Sequence, residues 1–491
     1  MPTLYSWIGA AAFSAASAIL ASTPAVAENA NSPGDRVFGT AKVAQFHLTL
    51  DDKQFTAMTP ANSPAFGPPG SRQPRRLSEG SHRNTFGVEF SWVHGELSFN
   101  DKSLADVAVR YKGNYTYMAS ARLLKKSLKV DLNRFVAGQK LDGLTMLNFH
   151  CGVSDPFQLR EAMSYAIFRD ANVPAPRTSF AELTLTVPGK YDRELVGLFT
   201  LVEQVNRHFL ERHFEDGRGM LLKPENLQGG PVYLGTDWTN YEVRYRPEKT
   251  ASKAQQQRLI DFTRLISRGS DASFASDIGS FLDVDAFLKF IAVNALMSNL
   301  DSYLGYGHNY YLYLVPKTDR FVFIPWDLDL SLATWPAAGT PEQLVQLSLR
   351  HPHAGQDALL DRLFAIEEIK TRYWSIVEEL AGTLFTRANL LRTLNEIERA
   401  IQEPMAREAK AAAARHENRA GAGTGFGMGR GQYGQSMPPR KFIQLRTESI
   451  TAQLAGRAKG FEPKPFGGAR GGGSGAGGLR PRPESPRKSR L

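Results

Sequence analysis

Asp327 and Asp329 stand two residues apart in FVFIPWDLDLS (321–331), just after an apolar run that ends in Pro325 and Trp326. In an extended chain alternate side chains share a face, so the two carboxylates are expected side by side. Like charges so placed repel, and a positive group between them would relieve the repulsion. A second segment, SNLDSYLGYGHNYYLYL (298–314), carries Asp301, His308 and Asn309 ahead of another apolar run. The two runs read as a hairpin joined by Pro316 to Asp319. In a hairpin the entry of one strand lies beside the exit of its partner. That sets Asn309 next to Asp327 and Asp329, with Asp301 on the loop leading in. Carboxylates with an amide are hard oxygen donors that suit Mg²⁺ or Mn²⁺. No Cys/His cluster of zinc type accompanies them. The competing reading is that these acids cap a turn or pair with arginine.

An acid on a loop, an Asn, and then an Asp after a strand is the layout of phosphoryl transfer in protein kinases. There one Asp takes the proton of the substrate hydroxyl, and the Asn and a second Asp hold metals on the phosphates. Such a site also needs a lysine on an early strand paired with a glutamate on the following helix. LLKKSLKVDL (123–132) offers Lys126 or Lys129, and QLREAMSYAIF (158–168) offers Glu161. Lysines on the solvated face of a strand are common, so these alone are weak signals.

The elements that must hold these residues follow from pattern. Residues 28–40 read as a polar leader, 41–60 as a strand and a short helix, and 61–83 as a loop rich in Pro, Ser and Arg. Alternating segments from Asn84 to Phe135 predict strands. DPFQLREAMSYAIFRDANV (155–173) has helical spacing, with Asp155 in its opening turn. SFAELTLTV and ELVGLFTLVEQV predict two more strands. The rest is mainly helical apart from the hairpin, with helices running from about Asp357 to Ala414 and a last helix in KFIQLRTESITAQLAG. The fold class is therefore α+β: a β-rich part with one inserted helix, then a mostly helical part. A cleft between them is the natural ligand site.

In order along the chain, VRYKGNYTYM, KKSLKVDL, LREAMSYAIFRDANVPAPR, GLFTLVEQVNRHFLERHF, LLKPE, HNYYLYL and IPWDLD resemble the spore coat protein H (CotH) kinase-like family. The resemblance runs from about residue 40 to 457, and the closing FIQLRTESITAQLAG looks like the family's last helix. It implies an atypical protein-kinase-like bilobal fold, with a β-rich N-lobe and a helical C-lobe, over residues 41–457. It implies a secreted kinase that uses ATP with a divalent metal to phosphorylate a protein. Carried over by motif, Asp301 is the catalytic base. Asn309, Asp327 and Asp329 are metal ligands, and Lys126 holds phosphates and pairs with Glu161. Arg110, Lys112 and Asn114 of RYKGN form a nucleotide-covering turn, Trp326 stacks on adenine or belongs to the core, and Glu203 lies near the interlobe connection. A structural ion pair of Glu203 with Lys223 is the bland alternative. Asp301 and Asn309 are eight apart where the usual kinase loop has five, which leaves open that another acid is the base. Gly429, Gly431 and Gly434 match GxGxxG by spacing, but follow no strand and open no helix.

The 491 residues are 42% hydrophobic and 22% charged, ordinary for a globular protein. The first 27 lack Asp, Glu, Lys and Arg and end in Ala25-Val26-Ala27, the pattern of a secretory signal peptide cut after Ala27. After its removal no apolar run is long enough to span a membrane. Cys151 is the only cysteine, so no internal disulfide forms. About half of the +10 net charge sits in the last 31 residues, where seven Lys/Arg face two Glu. Residues 458–491 read as a disordered basic tail able to touch an anionic surface, not as a nucleic-acid site. The protein substrate is unknown. The function alternative to a kinase is a non-catalytic, kinase-like structural or binding protein of the cell envelope. A calcium-stabilised adhesion module would need a loop dense in oxygen ligands, which is not found.

Overall fold

The computed structural model describes residues 32–60, 81–224, 230–417 and 436–465. The expected signal peptide, most of the 61–83 loop, the GxGxxG match and the end of the tail lie outside them. The architecture is α+β, as the alternation of patterns predicts. Its strands are β1 (Val43–Thr49), β2 (His82–Arg83), β3 (Glu89–Phe90), β4 (Val93–Phe99), β5 (Lys102–Tyr111), β6 (Leu128–Asp131), β7 (Met146–His150), β8 (Thr178–Val187), β9 (Tyr191–Val202), β10 (Met220–Leu222), β11 (Tyr310–Val315) and β12 (Arg320–Pro325).

Seven strands close a barrel in the order β1-β4-β5-β6-β7-β9-β8. Each neighbour pair is antiparallel except β1 with β8, whose parallel pairing closes the ring. Closure removes the free edges on which other chains could pair. Period-2 alternation sends Phe46, Val109, Val130, Phe149, Phe199 and Leu201 into one apolar cluster inside the barrel. The helix Arg160–Asp170 is inserted between β7 and β8 and belongs to a second cluster, with Phe168 stacked on Phe290 at 5.9 Å. That cluster gathers the sheet β10-β11-β12 and the helices Lys253–Arg268, Val284–Leu296, Glu367–Thr383, Arg387–Ala414 and Pro439–Leu454.

Buried charges fasten the helical part. Arg446, fully buried, donates to the carbonyls of Leu296 (3.0 Å), Ala295 (2.7 Å), Val345 (3.0 Å) and Leu347 (2.8 Å). Two of these close the C-terminus of Val284–Leu296, where carbonyls lack partners and the helix dipole favours a cation. Burial brings the Arg446 guanidinium down to about 9. Across the molecule, Glu408 of Arg387–Ala414 accepts from Lys125 (3.0 and 3.1 Å) and from the backbone N–H of Leu198 in β9 (2.7 Å). Gly197 beneath it has φ +144°, and a Cβ there would stand 2.7 Å from the Glu408 carboxyl carbon. The glycine lets the carboxylate reach the strand.

Some boundaries differ from the sequence reading. Residues 32–40 are more than a leader: Val37 and Phe38 are buried, and Gly34 N–H donates to Asp142 O. The fold also continues past 457, because Phe461 bridges to Leu347 and exchanges backbone hydrogen bonds with Gln346 and Ser348. Asp155 precedes its helix rather than opening it, and its carboxylate accepts from the N–H groups of Leu159 and Arg160. Among the described residues no helix is long and apolar enough to cross a membrane.

Lys125 and Glu408 are 3% and 2% exposed at the side chain, so removing one partner takes from a buried charge the opposite charge 3.0 Å away. Glu408→Ala is expected to cost on the order of 3–5 kcal/mol in denaturant unfolding. Glu408→Leu with Lys125→Met should cost much less, since no charge then stays buried.

Candidate active site between the barrel and the helices

The site is built on the outer face of β5, β6 and β7. Tyr111, Leu128 and Phe149 are cross-strand partners facing the barrel core. Alternation turns their neighbours outward. Arg110, Lys129 and Asn148 form one rung by register, and the next brings together Lys112, Ser127 and His150, with Lys112 N–H bonded to Ser127 O at 3.0 Å. All six line a cavity of about 660 Å³. Opposite them lie Asp301, His308, Asn309, Trp326, Asp327 and Asp329 from the hairpin, with Lys223 just after β10. The volume suits a nucleotide-sized ligand.

The hairpin forms as the sequence predicts, Tyr310 pairing with Pro325 and Trp326 N–H donating to Asn309 O at 3.1 Å. The local reason for the paired acids is different. Asp327 has φ +56° and Asn309 φ +57°, so both stand in the left-handed region and the strand has ended. Simple alternation therefore does not set Asp327 against Asp329. Their mutual field does reveal proximity: burial first, then the charges of Asp327, Glu161 and Asp301, hold the Asp329 carboxyl well above its ordinary range. Left-handed backbone at Asp and Asn is tolerable but strained, a cost that concentrates at functional sites. One face of Arg160–Asp170 pins the segment: Tyr165 Oη accepts from Asp327 N–H (3.1 Å), and Ser164 meets Ser331 (2.7 Å).

Asp301 is buried and held at both oxygens. His308 Nε2 meets Oδ1 at 2.8 Å, and Asn309 Nδ2 donates to Oδ2 at 3.2 Å and to the Asp301 carbonyl at 2.9 Å. Both amide hydrogens of Asn309 are thereby engaged, which leaves its Oδ1 as the atom available to a cation. The donor set of Asn309, Asp327 and Asp329 fits a hard divalent ion on chemistry. Burial and the neighbouring acids raise the Asp329 carboxyl, a penalty that a bound cation would offset. Neither Asp327 nor Asp329 is ion-paired among the described residues, which disfavours the arginine-pair reading. His150, Glu161 and Asp327 also offer ligand atoms within 4.8 Å of one another. Both His150 nitrogens are already bonded, so that set would first have to break those contacts.

The expected lysine is displaced. Lys126 lies in the loop before β6, donates to the Leu123 carbonyl and sits 5.6 Å over the Tyr111 ring. It does not line the cavity and does not meet Glu161. Lys112 and Lys129 do line it. Burial brings Lys112 down to about 8, partly offset by Asp327. Burial, then repulsion from Arg110, Lys223 and Lys112, brings Lys129 down to about 7. Glu161 is 4% exposed, and burial followed by Asp327 pushes its carboxyl up. It reaches Lys112 only through His150, a residue the sequence reading passed over because a lone His next to Cys151 carries no ligand spacing.

Trp326 lines the cavity but is 6% exposed, with Lys112 at 5.4 Å and Lys223 at 5.5 Å from its ring. Its ring lies between two cations. Asn114 belongs to the covering turn: its Oδ1 accepts from Thr85 N–H, while Asn84 Nδ2 donates to Gly113 O. Glu203 is outside the cavity and pairs with arginine rather than Lys223. It accepts from Arg177 (2.8 Å) and from Arg212 (2.7 Å at each oxygen). Burial opposes its charge, but Arg212 and Arg177 outweigh burial and bring the carboxyl down to about 2.

A depressed carboxyl stabilises the fold above its unfolded value, here 4.5, and the gain is lost as pH falls toward the folded value. Glu203→Gln is expected to lose roughly 3 kcal/mol at pH 7. The gap from wild type should narrow between about pH 5 and pH 2 in urea titrations taken at each pH. A gap that stays constant over that range would show the stabilisation is not the carboxylate's charge.

Residues 109–447 match the profile of the CotH kinase protein family. Inner spore coat protein H of Bacillus subtilis (strain 168) is 26% identical over 300 residues, which are 60% of this chain and 76% of that protein. A Shewanella oneidensis MR-1 structure of the toxin–antitoxin proteins HipA and HipB with operator DNA aligns at TM-score 0.27 and 13% identity. That alignment covers 59% of this chain and 64% of the other. With more than half of its length matched, the chain belongs to the CotH kinase protein family.

Proposed function

We propose that this protein is a secreted atypical protein kinase that moves the γ-phosphoryl group of ATP to a protein hydroxyl. The observation that carries the reading is the opposition of charge across one cavity. Arg110, Lys112, Lys129 and Lys223 line it together with Asp301, Asp327 and Asp329. The cations clustered on the barrel wall suit a triphosphate, and the acids suit the metal that accompanies it. The barrel is then the N-lobe and the helical part the C-lobe of a bilobal kinase-like fold. Secretion through residues 1–27 and surface contact through the basic tail belong to the same proposal.

In this reading the cationic rungs hold the phosphates. Asn309, Asp327 and Asp329 would bind Mg²⁺ or Mn²⁺, which when bound neutralises charge on the phosphates. Asp301 stands at the acceptor's side of the cavity and takes the hydroxyl proton as the acceptor oxygen attacks the γ-phosphorus. The bond from that phosphorus to the β-bridging oxygen breaks, and ADP leaves. His308 and Asn309 keep the Asp301 carboxylate from turning away. Most of the acceleration comes from such prearranged charge.

A non-catalytic role has one observation in its favour, the name of the relative as a spore coat protein. Incubation of residues 28–491 with γ-labelled ATP and Mg²⁺ or Mn²⁺ separates the two. Metal-dependent label on the chain or an added acceptor is expected, abolished by chelator and by Asp327→Ala. Asp301→Asn should slow transfer by about 10²–10⁴-fold with ATP affinity retained. Unimpaired transfer by Asp301→Asn would move the base to another acid. Absence of any label, with ATP still bound, would favour the non-catalytic role.

A further inference from the structure

His150 ends β7 and is 7% exposed, wedged between Lys112 and Glu161. Its Nδ1 meets both Glu161 oxygens at 2.8 and 2.9 Å, and its Nε2 meets the Lys112 ammonium. An ammonium only donates and a carboxylate only accepts. The ring must therefore carry its proton on Nδ1 and accept at Nε2, which is the neutral imidazole in one tautomer. Burial, then the Lys112 charge, push the ring's proton affinity well down, in agreement with that state.

The chain of contacts spans both walls. Lys112 follows β5, His150 ends β7, and Glu161 stands on Arg160–Asp170 and accepts from the Leu328 N–H, inside the segment that carries Asp327 and Asp329. Protein kinases pair the phosphate lysine with the helix glutamate directly. A direct pair here would draw the ammonium toward Glu161. The imidazole occupies that interval. It takes one of the three ammonium N–H groups, and Lys112 also rests 5.4 Å over Trp326. Two N–H groups are left for phosphate oxygens.

We propose that His150 is a positioning residue that sets the Lys112 ammonium against the phosphates of the bound nucleotide and ties that setting to the Asp327–Asp329 segment through Glu161. It rests on the phosphoryl-transfer reading above. Loss of the link should weaken phosphate binding and also slow transfer, because the reacting phosphate is then misplaced.

The test measures binding of MgATP and of inorganic tripolyphosphate by calorimetry, together with transfer rate and melting temperature. His150→Phe keeps ring volume and loses both bonds. His150→Gln carries an acceptor and a donor on one amide, as the neutral imidazole does on its ring. The expected result for His150→Phe is affinity about tenfold weaker and transfer on the order of 10²-fold slower, with His150→Gln restoring most of both. Coupling supplies the stricter measure: in a Lys112→Met background His150→Phe should cost little further affinity. If His150→Phe does not fold, His150→Asn replaces it, since its shorter amide reaches Glu161 and not Lys112. Binding and rates equal to wild type in the folded His150 variant, or losses that add fully to those of Lys112→Met, would overturn the proposal. Wild-type protein that binds neither probe would overturn the phosphoryl-transfer reading and the role of His150 with it.

Discussion

Positive charge crowded on the outer face of β5–β7 is the constraint around which this molecule is arranged. Arg110 and Lys129 are direct cross-strand partners, and Lys112 stands on the next rung. Like charges opposite one another destabilise a sheet. Burial makes the conflict worse, to the point that Lys129 falls to about 7. On the facing segment the acids are crowded in the same way, and burial, then the neighbouring acids, push Asp329 up. Each wall is uncomfortable alone, and each is complementary to a ligand carrying the opposite sign. A fold optimised only for stability would have little reason to bury such a set.

The rest of the structure keeps these walls from relaxing. A closed barrel has little freedom to splay its strands, so the two rungs remain in register. Arg160–Asp170 then braces the acidic segment through Glu161, Ser164 and Tyr165. Two residues in left-handed backbone, Asn309 and Asp327, mark where the hairpin is bent to aim its side chains. Farther out, charges are buried with full complements of partners. Arg446 has four carbonyls, Glu203 two arginines, and Glu408 a lysine and a strand N–H. The contrast is informative, because the remote charges are paired with opposite charge or carbonyls, whereas in the cavity like charges are crowded together on each wall.

In the proposed reading, His150 shows how the kinase-type arrangement is met by different parts. The lysine is supplied from beyond β5 rather than from the segment before β6, and a neutral imidazole fills the distance to the helix glutamate. Lys126, four residues after Arg122 in a run of basic residues, had the better sequence context yet turns to a local carbonyl and the Tyr111 ring. Which of several lysines faces a cleft depends on strand parity and on where the strand begins.

What the sequence by itself determined is local and periodic. The β11–β12 hairpin, the inserted helix, the long helices and the pairing of Asn309 with the exit of β12 follow from alternation, helical spacing and turn chemistry over a few residues. Family motifs likewise survive as contiguous strings. Only the tertiary structure decided that Lys112 and Lys129 replace Lys126, that Trp326 is covered by lysines, that Glu203 is clasped by Arg177 and Arg212, and that His150 stands between Lys112 and Glu161. Those facts depend on barrel closure and on contacts between residues from 9 to 214 positions apart in sequence. Side-chain direction at such sites is set by which strand lies beside which. No period within one segment encodes that.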